Sequence, residues 1–145
     1  VKARKFTLED VEQKYFYLHN FPKTKIIYGL YENYKYIKEC GYVVVVESEK
    51  SVLKLYSKGC KCAVAIAGHN LSESQATLLD RLNVKVILCY HKDIDKQHLE
   101  NERKKLLTFT EVYGMIDEKG LLNDKESPAD DYEKFKDLWI HKKKL

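Results

Sequence analysis

Four consecutive valines, Val43 to Val46, run straight into Glu47. A continuous β-branched run reads as a strand covered on both faces, because a half-solvated strand alternates apolar with polar residues. A carboxylate at the end of such a strand has to be solvated, paired or bound to a cation, since burying it bare is costly. A second apolar run, Val84 to Tyr90, ends in His91-Lys92-Asp93-Ile94-Asp95. Two buried parallel strands that each end in acid can hold a divalent cation between their tips. Taken singly, the acids have plainer readings: Glu47 as a solvated strand end, Asp93 and Asp95 as the acidic start of a helix.

The segments around these strands predict the rest of the architecture. Glu32–Cys40 reads as a helix stopped by Gly41. Glu49–Ser57 carries Val52, Leu55 and Tyr56 at helical spacing, and Gly59 stops it. Lys61–Ala67 reads as a second buried strand ended by Gly68. Ser72 and Gln75 fit a capping box, opening a helix that buries Leu78, Leu79 and Leu82. Lys85–Tyr90 is the third strand, Lys96–Leu107 a helix, and Glu111–Ile116 the fourth strand. Asp117–Pro128 is polar and turn-like, and Ala129–Lys142 closes the chain as a helix with Tyr132, Phe135, Leu138 and Trp139 inward. Upstream, Thr7 can cap a short helix over Leu8–Lys14. The alternation of strand and helix from residue 42 implies an α/β fold, with a central, mostly parallel four-stranded sheet and helices on both faces. Ligand sites in such sheets lie at the carboxyl ends of strands, where Glu47, Gly68 and His91–Asp95 all fall.

Composition narrows the function classes. The 145 residues suit a single core-forming unit, and no apolar stretch approaches the roughly 20 residues of a membrane span. No signal peptide opens the chain, and its start at Val1 leads us to expect an excised or processed fragment of a cytoplasmic protein. The net charge of +4 is compatible with nucleic acid without demanding it. Basic residues gather at Lys2, Arg4 and Lys5 and at His141 to Lys144, either as solvated termini or as a weak phosphate-contacting surface. Cys60-Lys61-Cys62 is too tightly spaced for a structural zinc pair, so Cys40, Cys60, Cys62 and Cys89 read as reduced thiols. No glycine-rich phosphate loop is present, which argues against a P-loop ATPase. The eleven tyrosines offer stacking platforms for single strands, with Tyr15, Tyr17, Tyr34 and Tyr36 the candidates.

These segments together resemble the Toprim domain of DnaG-type bacterial and phage primases. Val45-Val46-Glu47-Ser48-Glu49-Lys50-Ser51 is similar to the family's glutamate motif. Gly68-His69-Asn70-Leu71-Ser72 with Gln75 resembles its glycine turn and helix start. Val86 to Asp93 is similar to the strand carrying its Asp-x-Asp pair, with His91 in place of the first aspartate. Lys23 to Glu32 resembles the lysine-bearing segment just before Toprim, and Asp117 to Pro128 the acidic segment after the Asp-x-Asp strand.

The resemblance implies residues 1–40 as the N-terminal part of a primase RNA-polymerase core and 41–145 as the Toprim domain. It implies template-directed synthesis of short RNA primers from ribonucleoside triphosphates on single-stranded DNA, with a replicative helicase as a partner and no membrane association. Glu47 and Asp93 would be catalytic; Glu47, Asp93, Asp95 and His91 would hold Mg²⁺ or Mn²⁺. Asp117 and Glu126 would form an auxiliary acidic patch, and Lys23, Lys25, Lys50 and His69 would meet nucleotide or template. Imidazole in place of a carboxylate suits Mn²⁺ better than Mg²⁺, which prefers oxygen. In a shifted register, Asp93-Ile94-Asp95 becomes the pair on a longer strand. A degenerate Toprim module that binds nucleic acid or a partner without catalysis, and a nuclease- or topoisomerase-like Toprim enzyme, are the alternatives.

Overall fold

A computed structural model describes residues 21–145 in full, together with the backbone of β1 (Lys2–Arg4) and β2 (Tyr15–Tyr17). These two strands pair antiparallel, Ala3 opposite Phe16. The helix expected over Leu8–Lys14 and the side chains of Tyr15 and Tyr17 lie outside the described residues. Then follow α1 (Leu30–Cys40), β3 (Tyr42–Val46), α2 (Glu49–Ser57), β4 (Ala63–Ala65), α3 (Glu73–Arg81), β5 (Lys85–Leu88), α4 (Lys96–Arg103), β6 (Val112–Gly114), α5 (Tyr132–Ile140) and β7 (Lys143–Lys144). A short 3₁₀ turn, Pro128–Asp130, precedes α5.

The sheet has the order β4-β3-β5-β6-β7. Its first four strands are parallel, as the alternation predicts, and β7 adds a short antiparallel edge. The basic C-terminus therefore differs from the expected helix end and solvated tail. Lys143 and Lys144 pair with β6, Leu145 N–H donates to Val112 O at 2.9 Å, and the Lys143 ammonium meets Glu118. Backbone pairing leaves no hydropathy signature in two exposed lysines.

The valine run sorts its side chains by the period of a strand. Val43 and Val45 enter the core layer with Ile37, Leu79, Leu88 and Leu99, beneath α1, α3 and α4. Val44 and Val46 enter the opposite layer with Val52, Leu55, Ile87 and Phe135, beneath α2 and α5. Two dry faces leave no polar positions in β3, which explains its uninterrupted valines. The strands are shorter than their apolar runs: Cys89 and Tyr90 stay buried past the end of β5, and Leu78 is only partly buried while Gln75 takes an interior place on α3. Gly41 ends α1 in the left-handed region, as expected, its N–H bonding Ile37 O at 2.9 Å. The segment before α1 joins the same core. Tyr28 and Ala65 exchange backbone hydrogen bonds of 2.8 and 3.0 Å, and Ile27 is buried.

All four cysteines are free thiols, and Cys89 is fully interior. Among the described residues no helix is long and apolar enough to cross a membrane. Ile87 lies in a central strand and is 2% exposed. Ile87→Ala is expected to lower unfolding free energy by about 2–5 kcal/mol, through lost burial and a residual cavity; denaturant unfolding checks this.

Candidate active site at the strand tips

β3 and β5 are neighbours in parallel register, Val45 opposite Leu88, so their carboxyl ends emerge side by side. Glu47 follows β3 directly and is 5% exposed. Its carboxylate sits between two imidazoles. Oε1 lies 2.8 Å from His69 Nδ1, and Oε2 contacts His91 Nδ1 while accepting from the His91 N–H at 3.2 Å. His69 comes from the turn after β4 and His91 from the turn after β5, so three adjacent strand tips supply the cluster. Burial pushes the His91 imidazole down in pKa, against the pull of Asp130 and Asp93. A neutral ring is the form that can ligate a cation.

The other expected residues take up distinct places. Asp93 is exposed in the turn past His91. Asp95 caps α4, its Oδ1 accepting the His98 N–H at 2.8 Å, and β5 ends at Leu88. The shifted register would need a longer strand, and the backbone instead enters a turn whose Ile94 N–H returns to His91 O. Asp117 organises its own loop, accepting the Leu121 and Leu122 N–H groups at 2.8 Å each. Glu126 accepts the Asn123 N–H at 2.6 Å and pairs with Lys134 at 2.8 Å, and both hold its carboxyl below the usual range. The backbone of Glu126 does reach the site, since its carbonyl accepts the Lys92 N–H at 3.2 Å. Lys23, Lys25 and Lys50 are exposed, and His69 is mostly so. Among the candidate tyrosines, Tyr34 is 52% exposed, whereas Lys61 covers Tyr36 at 4.9 Å from the ring centre. Tyr31, which the sequence reading passed over, is 92% exposed.

Asp130 is a further acid that sequence reading missed. Ser127 and Asp130 form a reciprocal capping pair, Ser127 Oγ lies 3.5 Å from Ser51 Oγ, and Asp130 meets Lys54 at 2.5 Å. Burial opposes its ionisation, but Lys54 and the Ser127 N–H more than offset this, and its charge is felt at His91. The Ser-x-x-Asp spacing was the available signal.

Gln75 anchors the N-terminal segment to this region. It is 1% exposed, and its Nε2 shares two hydrogens among Lys23 O, Ile26 O and Ile66 O at 2.9–3.1 Å, while Oε1 accepts the Ser72 N–H. This amide sets the backbone beneath Lys23 against the turn that carries His69.

A parallel α/β sheet with a buried carboxylate at the tips of adjacent strands defines the class. Comparison with known proteins narrows it. No protein-family model matches the chain. The DNA primase of Aquifex aeolicus is 40% identical over 73 residues, which is 50% of this chain and 15% of that protein. An uncharacterized SPbeta prophage-derived protein of Bacillus subtilis is 28% identical across 90% of this chain and 42% of its own length. The crystal structure of the zinc-binding and RNA-polymerase domains of the Aquifex aeolicus primase superposes with a TM-score of 0.79 at 28% identity, over 99% of this chain and 37% of that one. A DnaG primase catalytic domain bound to single-stranded DNA shares the fold, with a TM-score of 0.71 at 23% identity over 99% of this chain and 47% of that one. In sequence and fold the chain is similar to the catalytic core of DnaG-type DNA primases. It spans less than half the length of each of these relatives.

Removing the Gln75 amide takes away the donor that three carbonyls share and the acceptor of the Ser72 N–H. Gln75→Ala is expected to lower stability by about 1–3 kcal/mol and to speed hydrogen exchange at Ser72, which thermal unfolding and exchange mass spectrometry would read.

Proposed function

We propose that this chain is the nucleotidyl-transfer core, or most of it, of a primase that makes short RNA primers on a single-stranded DNA template. One observation carries the reading: Glu47 is a nearly inaccessible carboxylate held at the junction of two parallel strand tips. A charge buried there costs several kcal/mol unless it is paired, which is hard to account for as a solvated strand end. The likeness to primase catalytic cores, including one with single-stranded DNA bound, supplies the substrate class. Residues 1–40 then form the N-terminal part of that core and 41–145 its Toprim domain. The prophage-derived relative supports a phage-borne origin; action in the cytoplasm of a bacterial host beside a replicative helicase belongs to the same reading.

The donor set bears on the cation. Mg²⁺ takes oxygen ligands, whereas Mn²⁺ also accepts imidazole. Among the described residues no three His, Cys, Asp or Glu side chains are already drawn up as a metal cage. Glu47 with His91, and Asp93 two residues beyond, would hold the ion, and this mixed set suits Mn²⁺ better than Mg²⁺. When bound, a divalent ion supplies the charge that activates a primer hydroxyl and stabilises the pyrophosphate leaving group. Glu47 would position the cation, and it accepts hydrogen bonds from both flanks. His91, whose burial lowers its pKa, would contribute a ring nitrogen, and Lys23 and Lys25 face solvent where a phosphate backbone can reach them.

The second reading is a non-catalytic Toprim module that binds nucleic acid or a partner. It is favoured by one feature, the occupation of both Glu47 oxygens by imidazoles. Calorimetric titration of the chain with Mn²⁺ and Mg²⁺, beside Glu47→Ala and Asp93→Ala, separates the two. Mn²⁺ binding that both substitutions abolish supports the catalytic reading; no binding, or binding indifferent to both, sinks it. His91→Asp restores a carboxylate and is expected to tighten Mg²⁺ binding, and an unchanged affinity would count against His91 as a ligand. Lys23→Ala is expected to weaken single-stranded DNA binding and to reduce the slope of log affinity against log salt by about one. A binding series across salt concentrations checks it.

A further inference from the structure

Glu102 is completely buried, yet it lies on α4, away from the Glu47 carboxylate. Its Oε2 accepts the Leu71 N–H at 2.6 Å, and Lys105, one turn on, donates to its Oε1 at 2.5 Å and to Leu71 O at 3.0 Å. The pair thus grips both backbone polar groups of one residue in the turn between β4 and α3. His98, on the same helix, holds that turn a second time, its Nε2–H donating to His69 O at 3.0 Å. The Tyr90 hydroxyl reaches Glu102 Oε2 at 3.5 Å from the end of the β5 run.

A buried ion pair is a poor way to gain stability, because desolvation cancels most of the attraction. What this one does secure is position. The gripped turn carries His69, whose side chain is 76% exposed and meets Glu47 through Nδ1. Its orientation is set through its backbone. The same helix begins five residues after His91, at Lys96, and is capped by Asp95. One helix therefore holds the turn on the His69 flank of the Glu47 carboxylate and starts five residues beyond His91 on the other.

We propose that Glu102 is a positioning residue, which with Lys105 and His98 clamps the Gly68–Ser72 turn so that His69 stays on Glu47. This rests on the cation-binding reading of Glu47, and the clamp itself can be tested without it. A charged acceptor binds the Leu71 N–H more strongly than a neutral one. The expected order is therefore wild type, then Glu102→Gln, then Glu102→Ala.

The experiment uses the 145-residue chain and two readouts, hydrogen exchange at the Leu71 amide and Mn²⁺ titration, with Glu47→Ala alongside. Glu102→Ala is expected to speed Leu71 exchange selectively over the β3 and β5 amides, and to weaken Mn²⁺ binding by up to about 10-fold, because His69 is the partner behind the Glu47 ligand and Glu102 acts one step further out through His69. Glu102→Gln should fall between. Wild-type exchange and affinity in a folded Glu102→Ala chain would overturn the clamp, and should that variant not fold, wild-type values in Glu102→Gln would do so. If Glu47→Ala leaves Mn²⁺ binding unchanged, the cation reading fails, and Leu71 exchange alone then decides whether Glu102 holds the turn.

Discussion

A strand that is dry on both faces cannot keep a carboxylate at its end unless neighbouring chain supplies partners, and much of this molecule is arranged to supply them. β3 runs through the middle of the sheet with its valines divided between two core layers. Glu47 follows where the backbone leaves those layers, and the turns after β4 and β5 bring His69 and His91 onto its two oxygens. The parallel register matters here, because it places the ends of adjacent strands on one side of the sheet. In an antiparallel pairing of β3 and β5 the two acid-bearing tips would lie at opposite ends.

Around that carboxylate the polar groups form supporting tiers. Gln75 joins the backbone of the Lys23–Ile26 segment to the start of α3, and the Glu102–Lys105 pair joins the same turn to α4. On the other side, Ser51, Ser127 and Asp130 link the start of α2 to the turn before α5, and Lys54 closes this contact. Each tier uses a side chain to satisfy backbone groups that the strand-to-helix turns leave unpaired. Satisfying them indirectly fixes the direction of the residues that face the site.

His91 places a nitrogen donor beside the Glu47 carboxylate at the strand tips. A carboxylate at that position would repel Glu47 and call for a cation to join them. An imidazole meets Glu47 directly, so the protein's own groups pair with this carboxylate.

Much of this was legible in the residues alone. The valine run, the capping box at Ser72 and Gln75, the glycine stop at Gly41 and the alternation of strand and helix specify local structure through nearest neighbours and periodicity, so the parallel α/β plan and the position of Glu47 at a strand end could be read directly. Other features depended on partners distant in sequence. Asp95 and Asp117 carry the same carboxylate as Glu47, but the first is spent on a helix cap and the second on its own loop, while Asp130 is drawn toward the site by Lys54 and Ser127. Glu102 looks like one more charge on a polar helix until the fold buries it against Leu71, and Lys143 and Lys144 become a strand only because β6 has an open edge. Sequence determines which groups exist and which local shapes they favour; tertiary structure decides which of them meet, because a hydrogen bond or an ion pair is set by distances that only the packed chain defines.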